Sequence, residues 1–317
     1  MKSPLLFLVF NRPDTTAQVF ARIRESRPSR LYIAADGPRP TRPDEARQCA
    51  EARAIATKID WPCQVVTLFR EKNLGCKEAV SSAIDWFFSH EEEGIVLEDD
   101  CLPAPDFFHF CDTLLAHYRN DRRIRHIAGC NFQQGTRRGD GAYYFSNLTH
   151  VWGWATWRRA WHDYDKNLAR HSEDEIFEHL ETRFHDPLLA AWWLEMAVSI
   201  KKQRVDTWDI QLALTNLMND GLSIIPNVNL ISNIGFDSRA THTIEPDQNK
   251  NALPTGSLDN ICHPTTHKPD LEADLFTLAL EFAPSEARRR KYNRLKYRLK
   301  RFAARLQGPR SWKRAGT

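Results

Sequence analysis

The feature that most constrains this fold is the alternation of short apolar runs with amphipathic segments over about the first 130 residues. The apolar runs read as buried strands, and they are PLLFLVF, RLYIAADG, CQVVTLF, GIVLEDD and IRHIAGCN. The segments between them carry apolar residues at helical spacing, as at Val80, Ile84 and Phe87. Strands that alternate with helices form βαβ units, so the pattern predicts an α/β fold with a mostly parallel sheet flanked by helices.

Composition adds three constraints. The chain has 317 residues, 42% hydrophobic and 27% charged, which is typical of a soluble globular protein with one large domain or two small ones. No apolar run approaches the roughly 20 residues that span a bilayer. The seven cysteines include no C-x-x-C pair, which predicts reduced core residues of a cytosolic protein and not a disulfide or zinc framework.

Polar side chains directly follow three of the predicted strands. Asn11 and Arg12 follow the first, Asp36 follows the second, and the acids 98–100 follow the fourth. Ligands of parallel α/β sheets bind outside the carboxyl ends of the strands. We therefore expect these side chains to gather at one edge of the sheet.

The acidic triplet at residues 98–100 is the most informative part of that edge. Adjacent carboxylates repel one another, and Mg²⁺ and Mn²⁺ prefer carboxylate oxygens, so the triplet predicts a metal site. The alternative is a solvated acidic turn that caps the next helix. The chain has no Walker A loop, no G-x-G-x-x-G after the first strand and no G-x-S-x-G elbow. These absences argue against a P-loop NTPase, a dinucleotide dehydrogenase and an α/β-hydrolase.

The segment VLEDDCLPAPDFFHF resembles the metal-binding segment of GT-A-fold, nucleotide-sugar-dependent glycosyltransferases. It is most similar to the N-acetylglucosaminyltransferase I family, in which E-D-D and an apolar residue precede A-P-D-F-F. Over residues 3–243 the chain also resembles bacterial sugar transferases of surface polysaccharide synthesis. The order of an Arg after the first strand, Asp-Gly after the second and a later N-L-G turn fits the same pattern.

The resemblance implies a role for each residue of the triplet. Asp100 would ligate Mn²⁺ or Mg²⁺, Asp99 would contact the ribose or the water shell of the metal, and Glu98 would face the donor sugar. A UDP-sugar is the default donor. The other donor-binding residues that the resemblance implies are Asn11 and Arg12 in the nucleotide pocket, Asp36 at the base and Lys77 at the diphosphate.

The family chemistry is inverting, so a carboxylate on the acceptor side must act as the base. The segment RVDTWDIQ offers Asp209 and, as the alternative, Asp206. Trp208-Asp209 matches the start of the family's W-D-D segment, although Ile210 replaces the second acid. The competing interpretation is that Asp209 only caps the helix that follows.

Two further residues are candidates for the same site. His242 lies late in the catalytic region, where related transferases supply a histidine near the metal, although a lone histidine is more often structural. Trp154 belongs to a cluster of four tryptophans, and its ring is a candidate for stacking on an acceptor sugar. Core packing is the alternative for Trp154 and the preferred interpretation for Trp157 and Trp161.

The C-terminal part carries most of the positive charge. From residue 284 onward there are 13 basic residues and one acid, a net charge of +12. Because the whole chain has a net charge of +3, the residues before 284 carry −9. Residues 285–306 form a basic amphipathic pattern suited to an anionic membrane surface. The alternative interpretation of this pattern is a solvated charged helix with no membrane contact. The acidic body has no recognisable nucleic-acid module, so no nucleic-acid partner is expected.

These observations predict a GT-A-like domain at 1–244, with a nucleotide-binding half at 1–131 and an acceptor half at 132–244. A loop or linker at 245–268 and a basic helical tail at 269–317 complete the chain. The expected function is sugar transfer to a glycan or lipid-linked acceptor, with the protein cytoplasmic and peripheral on the inner membrane face. The alternatives are a sugar nucleotidyltransferase and a non-enzymatic, basic-tailed binding protein.

Overall fold

The computed structural model describes residues 1–236, 252–258 and 260–282. The strands are β1 (Leu5–Val9), β2 (Arg30–Ala35), β3 (Gln64–Phe69), β4 (Glu93–Glu98), β5 (Cys101–Pro103), β6 (Ile124–Ala128), β7 (Tyr143–Ser146), β8 (Trp154–Trp157), β9 (Leu222–Pro226) and β10 (Ile231–Asn233). The helices are α1 (Pro13–Ser26), α2 (Glu45–Ala56), α3 (Cys76–His90), α4 (Asp106–His117), α5 (Arg158–Trp161), α6 (Glu173–Phe184), α7 (Pro187–Lys201), α8 (Asp209–Met218) and α9 (Leu271–Phe282).

Among the described residues, the main sheet has eight strands in the order β3-β2-β1-β4-β8-β6-β9-β7. Strands β1 to β4 pair in parallel, and β6 pairs in parallel with β9. The predicted α/β class, with a mostly parallel sheet between helices, is confirmed. Strand β8 was not predicted; it lies antiparallel between β4 and β6 and joins the two parallel parts. A separate two-stranded sheet joins β5 to β10.

The central strands are buried because helices cover both faces of the sheet. Every residue of β1 is buried, and so are Ile95, Val96 and Leu97 in β4. Phe107 of α4 packs on one face with Leu97, and Phe87 of α3 packs in the cluster on the other face with Val96. This core fixes the ends of β1 and β4 beside each other.

A second apolar cluster holds α6, α7 and α8 together, with Leu180, Trp193 and Leu214 among its buried members. The Ser172 hydroxyl accepts from the Glu175 amide and completes a capping box at the start of α6. Together these helices set the path of the chain into residues 205–209, which reach the carboxyl edge of the sheet.

The described residues after 251 also contact the body. The Ala142 amide donates to the Cys262 carbonyl across 2.8 Å, and Asp274 of α9 accepts from the hydroxyl of Ser146, the last residue of β7. The domain boundaries at 244 and 268 stay predictions, and residues 285–306 lie outside the described chain. No helix in the part that the structure describes is both long and apolar enough to cross a membrane. All seven cysteines are free thiols, and four of them are buried.

Candidate active site

A cavity of about 660 Å³ opens beyond the carboxyl ends of β1, β2 and β4. Its volume falls in the range of small-molecule sites, roughly 300–1,000 Å³. The opposite wall is the segment of residues 205–210 that leads into α8. The predicted site residues that line this cavity are Asn11, Arg12, Asp36, Glu98, Asp99, Asp100, Asp206 and Asp209.

The register of the sheet positions the acidic triplet. Glu98 is the last residue of β4 and lies opposite Leu8 of β1, so the acids after it meet the residues after β1. The Phe10 amide donates to Asp99 Oδ2 across 2.9 Å. The Thr16 hydroxyl of α1 donates to the same oxygen at 3.4 Å. Asp99 is therefore a buried link between β4 and the start of α1.

Burial and mutual repulsion dominate the electrostatics of the triplet. Burial, and then the charges of Asp100 and Asp99, hold the pKa of Glu98 well above its usual range. Burial and the charge of Asp100 raise the pKa of Asp99 to about 7. The pKa of Asp100 is raised by burial against the opposing effect of Arg12. A bound cation would relieve this repulsion.

Arg12 already opposes part of that negative charge. Its Nη1 donates to Asp100 Oδ2 and to the Gly235 carbonyl, each across 3.1 Å. Gly235 lies so close that a Cβ on it would be 2.2 Å from Asp100 Oδ2 and 2.5 Å from Arg12 Nη1. Glycine at 235 therefore allows the backbone to contact the ion pair.

Asp36 organises the turn before α3. Its carboxylate accepts from Asn73 Nδ2 at 2.9 Å, from the Leu74 amide at 3.0 Å and from its neighbour Gly37 at 2.9 Å. Burial still raises the pKa of Asp36. Lys77, predicted at the diphosphate, is not among the residues that line the cavity. Its Nζ donates to Asn167 Oδ1 at 2.9 Å.

The structure separates the two candidate bases. Asp206 accepts from the Cys76 amide at 3.1 Å and from the Lys77 amide at 3.0 Å, so it caps α3 from a distant part of the chain. Asp209 is the first residue of α8, and no side-chain hydrogen bond caps that helix. The Thr207 hydroxyl donates to Asp209 Oδ1. Asp209 thus lines the cavity without a capping role.

Trp154 lies in the core, which is the alternative interpretation of this residue, and not on the cavity wall. Its side chain is fully buried and stacks on Trp208 with ring centroids 5.8 Å apart, because β8 is an interior strand of the sheet. Trp157 and Trp161 are buried, as expected of core residues. Trp152 lines the cavity instead, and its ring meets that of Phe236 edge to face at 5.5 Å. His242 lies outside the described residues.

Several cavity residues were not found from the sequence. Arg70 directly follows β3, so the strand-end rule applied to the third strand would have identified it. Arg39 lies three residues after Asp36, and no local pattern distinguishes it from the neighbouring Arg42. The aromatic residues Trp152 and Phe236 come from loops and give no periodic signal.

The acidic edge fits a metal that shares its ligands with a diphosphate. Within residues 1–236, 252–258 and 260–282, no group of three His, Cys, Asp or Glu side chains surrounds a common point. A Mg²⁺ or Mn²⁺ bound to a nucleotide needs only one or two protein carboxylates, since phosphates and waters supply the rest. Asp100, about 24% exposed, and Asp99 meet that smaller requirement.

No family model and no curated protein matches this chain. Among solved structures, it is similar to a UDP-glucose pyrophosphorylase complexed with UDP-glucose (11% identity, TM-score 0.37, 71% of this chain and 90% of that chain). It is also similar to a cytidylyltransferase from Leptospira borgpetersenii serovar Hardjo-bovis (13% identity, TM-score 0.32, 52% of this chain and 63% of that chain). A third similar structure is mouse xyloside xylosyltransferase 1 in its apo form (12% identity, TM-score 0.33, 70% of this chain and 84% of that chain). These scores are low, so the site itself carries the functional proposal.

Proposed function

We propose that this protein is a metal-dependent, inverting glycosyltransferase that uses a nucleotide-diphosphate sugar. One observation carries the proposal: carboxylates approach a single cavity from two sides, the triplet at the end of β4 and Asp209 at the start of α8. A sugar transfer needs this division, because one side must hold the donor and the other must activate the acceptor.

On the donor side, Asp100 and Asp99 would hold Mn²⁺ or Mg²⁺. The metal, when bound, neutralises charge on the departing nucleoside diphosphate. Arg12 would exchange Asp100 for an anionic group of the donor, while Glu98 faces the sugar. Asn11, Asp36 and the turn that Asp36 holds would line the nucleotide end of the cavity, with UDP as the default nucleotide.

On the acceptor side, Asp209 would take the proton of the acceptor hydroxyl. The hydroxyl oxygen forms a bond to the anomeric carbon, and the bond from that carbon to the diphosphate breaks with its electron pair. Attack from the face opposite the leaving group inverts the configuration. The rings of Trp152 and Phe236 would provide an aromatic wall for a sugar.

A sugar nucleotidyltransferase remains the alternative. Such enzymes hold the triphosphate in a glycine-rich loop after the first strand. Here α1 begins at Pro13, directly after Arg12, and residues 9–13 contain no glycine. This favours the glycosyltransferase. A non-enzymatic binding protein would not require Asp36, Asp100 and Asp209 to line one cavity.

The acceptor side of the proposal extends to the membrane. The basic pattern of residues 285–306 would attach the protein to the anionic inner face of a membrane, and no helix of the described chain spans one. The proposed acceptor is accordingly a glycan or lipid-linked sugar of surface polysaccharide synthesis.

Calorimetric titration of UDP, GDP, CDP and TDP, with and without Mn²⁺, tests the proposal. The wild type should bind one nucleotide in a metal-dependent way, Asp100→Asn should lose that binding, and Asp174→Asn on the exposed start of α6 should keep it. Failure of the whole panel overturns the proposal. Release of pyrophosphate from a nucleoside triphosphate and a sugar phosphate would favour the nucleotidyltransferase.

A further inference from the structure

The start of α2 contains an unusual buried acid. Glu45 is the first residue of the helix, where an acidic side chain normally faces solvent and interacts with the helix dipole. Here its side chain is only 3% exposed. It turns inward, toward the ends of β1 and β2.

Glu45 binds two residues that line the cavity. Arg39 Nε donates to both carboxylate oxygens at 3.0 Å, Arg39 Nη2 donates to Oε1 at 2.5 Å, and the Arg39 amide donates to Oε2 at 2.6 Å. Asn11 Nδ2 donates to Oε1 at 2.8 Å. Burial alone would raise the pKa of Glu45, but the hydrogen bonds and charge of Arg39 outweigh it and lower the pKa. Glu45 is therefore ionised at neutral pH.

These contacts hold Arg39 in one orientation. Its guanidinium lies over the Phe10 ring, 5.5 Å from the ring centroid. Glu45 uses Nε and Nη2 and does not use Nη1, and about a third of the side chain, 36%, is exposed. Arg39, Phe10 and Asn11 all line the cavity. One carboxylate thus joins the polar residues after β1 and β2 into a single rigid unit.

We propose that Arg39 binds the nucleotide and that Glu45 is its positioning residue, an inference that rests on the proposed function. A guanidinium held in place recognises phosphate or carbonyl oxygens with little further loss of side-chain freedom. Both kinds of oxygen belong to a nucleotide, in its phosphates and in its base. Without Glu45, the Arg39 side chain would have to be ordered on binding.

The test uses Glu45→Gln, Arg39→Met and the double variant that combines them. Glu51→Gln is the control. Glu51 lies on the same helix but in an exposed pair with Arg47. Binding of the best nucleoside diphosphate of the panel, with Mn²⁺, should weaken roughly 10-fold or more in each single variant. The double variant should bind no more weakly than Arg39→Met, because Glu45 acts through Arg39 and the glutamine oxygen can still accept from Asn11. Glu51→Gln should bind as the wild type does.

Steady-state kinetics of the single variants should agree with the binding measurements. The KM for the donor should rise in both single variants, and kcat should stay within about twofold if Arg39 contacts the base, which takes no part in bond breaking. Repeating the titration with the free nucleoside assigns the Arg39 contact to the base if the loss persists and to the phosphates if it disappears.

Three outcomes overturn the inference. Wild-type affinity in Arg39→Met contradicts nucleotide binding by Arg39. If this variant does not fold, because the buried Glu45 carboxylate loses its charged partner, the double variant gives the same test without an unpaired buried charge. Additive losses in the double variant contradict the positioning role. If the wild type binds no nucleotide of the panel, the proposed function fails and this inference fails with it. If the wild type binds and the variants bind equally well, only this inference fails.

Discussion

Arg12 Nη1 lies 3.1 Å from Asp100 Oδ2 and donates at the same distance to the Gly235 carbonyl, so three distant parts of the chain meet at one nitrogen. Residue 12 follows β1, residue 100 follows β4, and residue 235 follows β10. The ion pair partly compensates the negative charge of the acidic triplet. It also leaves no space for a side chain at position 235.

We expect Gly235→Ala to weaken metal-dependent nucleotide binding by about tenfold or more. The new Cβ would lie 2.2 Å from Asp100 Oδ2, so either the ion pair or the backbone must move. Calorimetry with Mn²⁺ measures the effect. Gly256→Ala is the control, because its Cβ meets nothing closer than 3.1 Å. Equal affinities in the two variants would contradict the close packing at residue 235.

Asp209→Asn should lower kcat by about 10²–10⁴ while the affinity for the donor stays near that of the wild type, because it removes the base and leaves the donor side intact. Asp206→Asn should instead lower the free energy of unfolding by about 1 kcal/mol through the weakened cap on α3. Steady-state kinetics and urea unfolding measure the two effects. The reverse pattern would assign the base to Asp206.

Trp152→Ala and Trp154→Ala should fail in different ways. Trp154 is fully buried, so its loss should cost about 3–5 kcal/mol in the free energy of unfolding. Trp152 lines the cavity, so its loss should mainly raise the KM for the acceptor. Denaturant unfolding and kinetics on both variants check this. A destabilised Trp152→Ala with an unchanged acceptor KM would show that this ring only supports the fold.

His126 should contribute a loss of stability as the pH is lowered from 6.5 toward 4, measured as the difference between the wild type and His126→Gln, because the raised pKa values of Glu98 and Asp99 act in the opposite direction. Burial lowers the pKa of this histidine from 6.5 to about 4. The unfolded chain therefore takes up a proton at higher pH than the folded one, and the stability present above pH 6.5 is lost as the pH falls through this window. The loss is ~3 kcal/mol.

Urea unfolding at several pH values measures the effect of His126. In His126→Gln this part of the pH dependence should disappear. His162→Gln, which changes a side chain that is 84% exposed, should keep the wild-type slope. Equal slopes in all three proteins would contradict the neutral, buried state of His126.

Replacing Arg288, Arg289 and Arg290 with Gln should weaken binding to vesicles that contain anionic lipid. Each basic residue near such a surface contributes about 1 kcal/mol, so the loss should reach ~100-fold. Sedimentation with vesicles with and without anionic lipid, at two salt concentrations, measures it. Equal sedimentation with neutral vesicles would contradict an electrostatic attachment.

The sequence by itself determined the features that depend on neighbouring residues. Apolar periodicity located β1 to β4 and α1 to α4. Helices α6 and α7 begin after the N-cap residues Ser172 and Asp186, whose side chains accept from amides of the first turn. The rule that ligands bind at the carboxyl ends of parallel strands selected Asp36 and the acidic triplet, since each directly follows a strand.

The tertiary structure alone decided the features that depend on contacts between distant residues. Strand β8 is short and enters the sheet between β4 and β6, which buries Trp154. Asp206 caps a helix 130 residues away, so of the two cavity carboxylates only that of Asp209 has no capping role. Glu45 turns inward to hold Arg39. Local periodicity reports which face of an element is buried, whereas the partner of a buried polar group is set by packing across the whole chain.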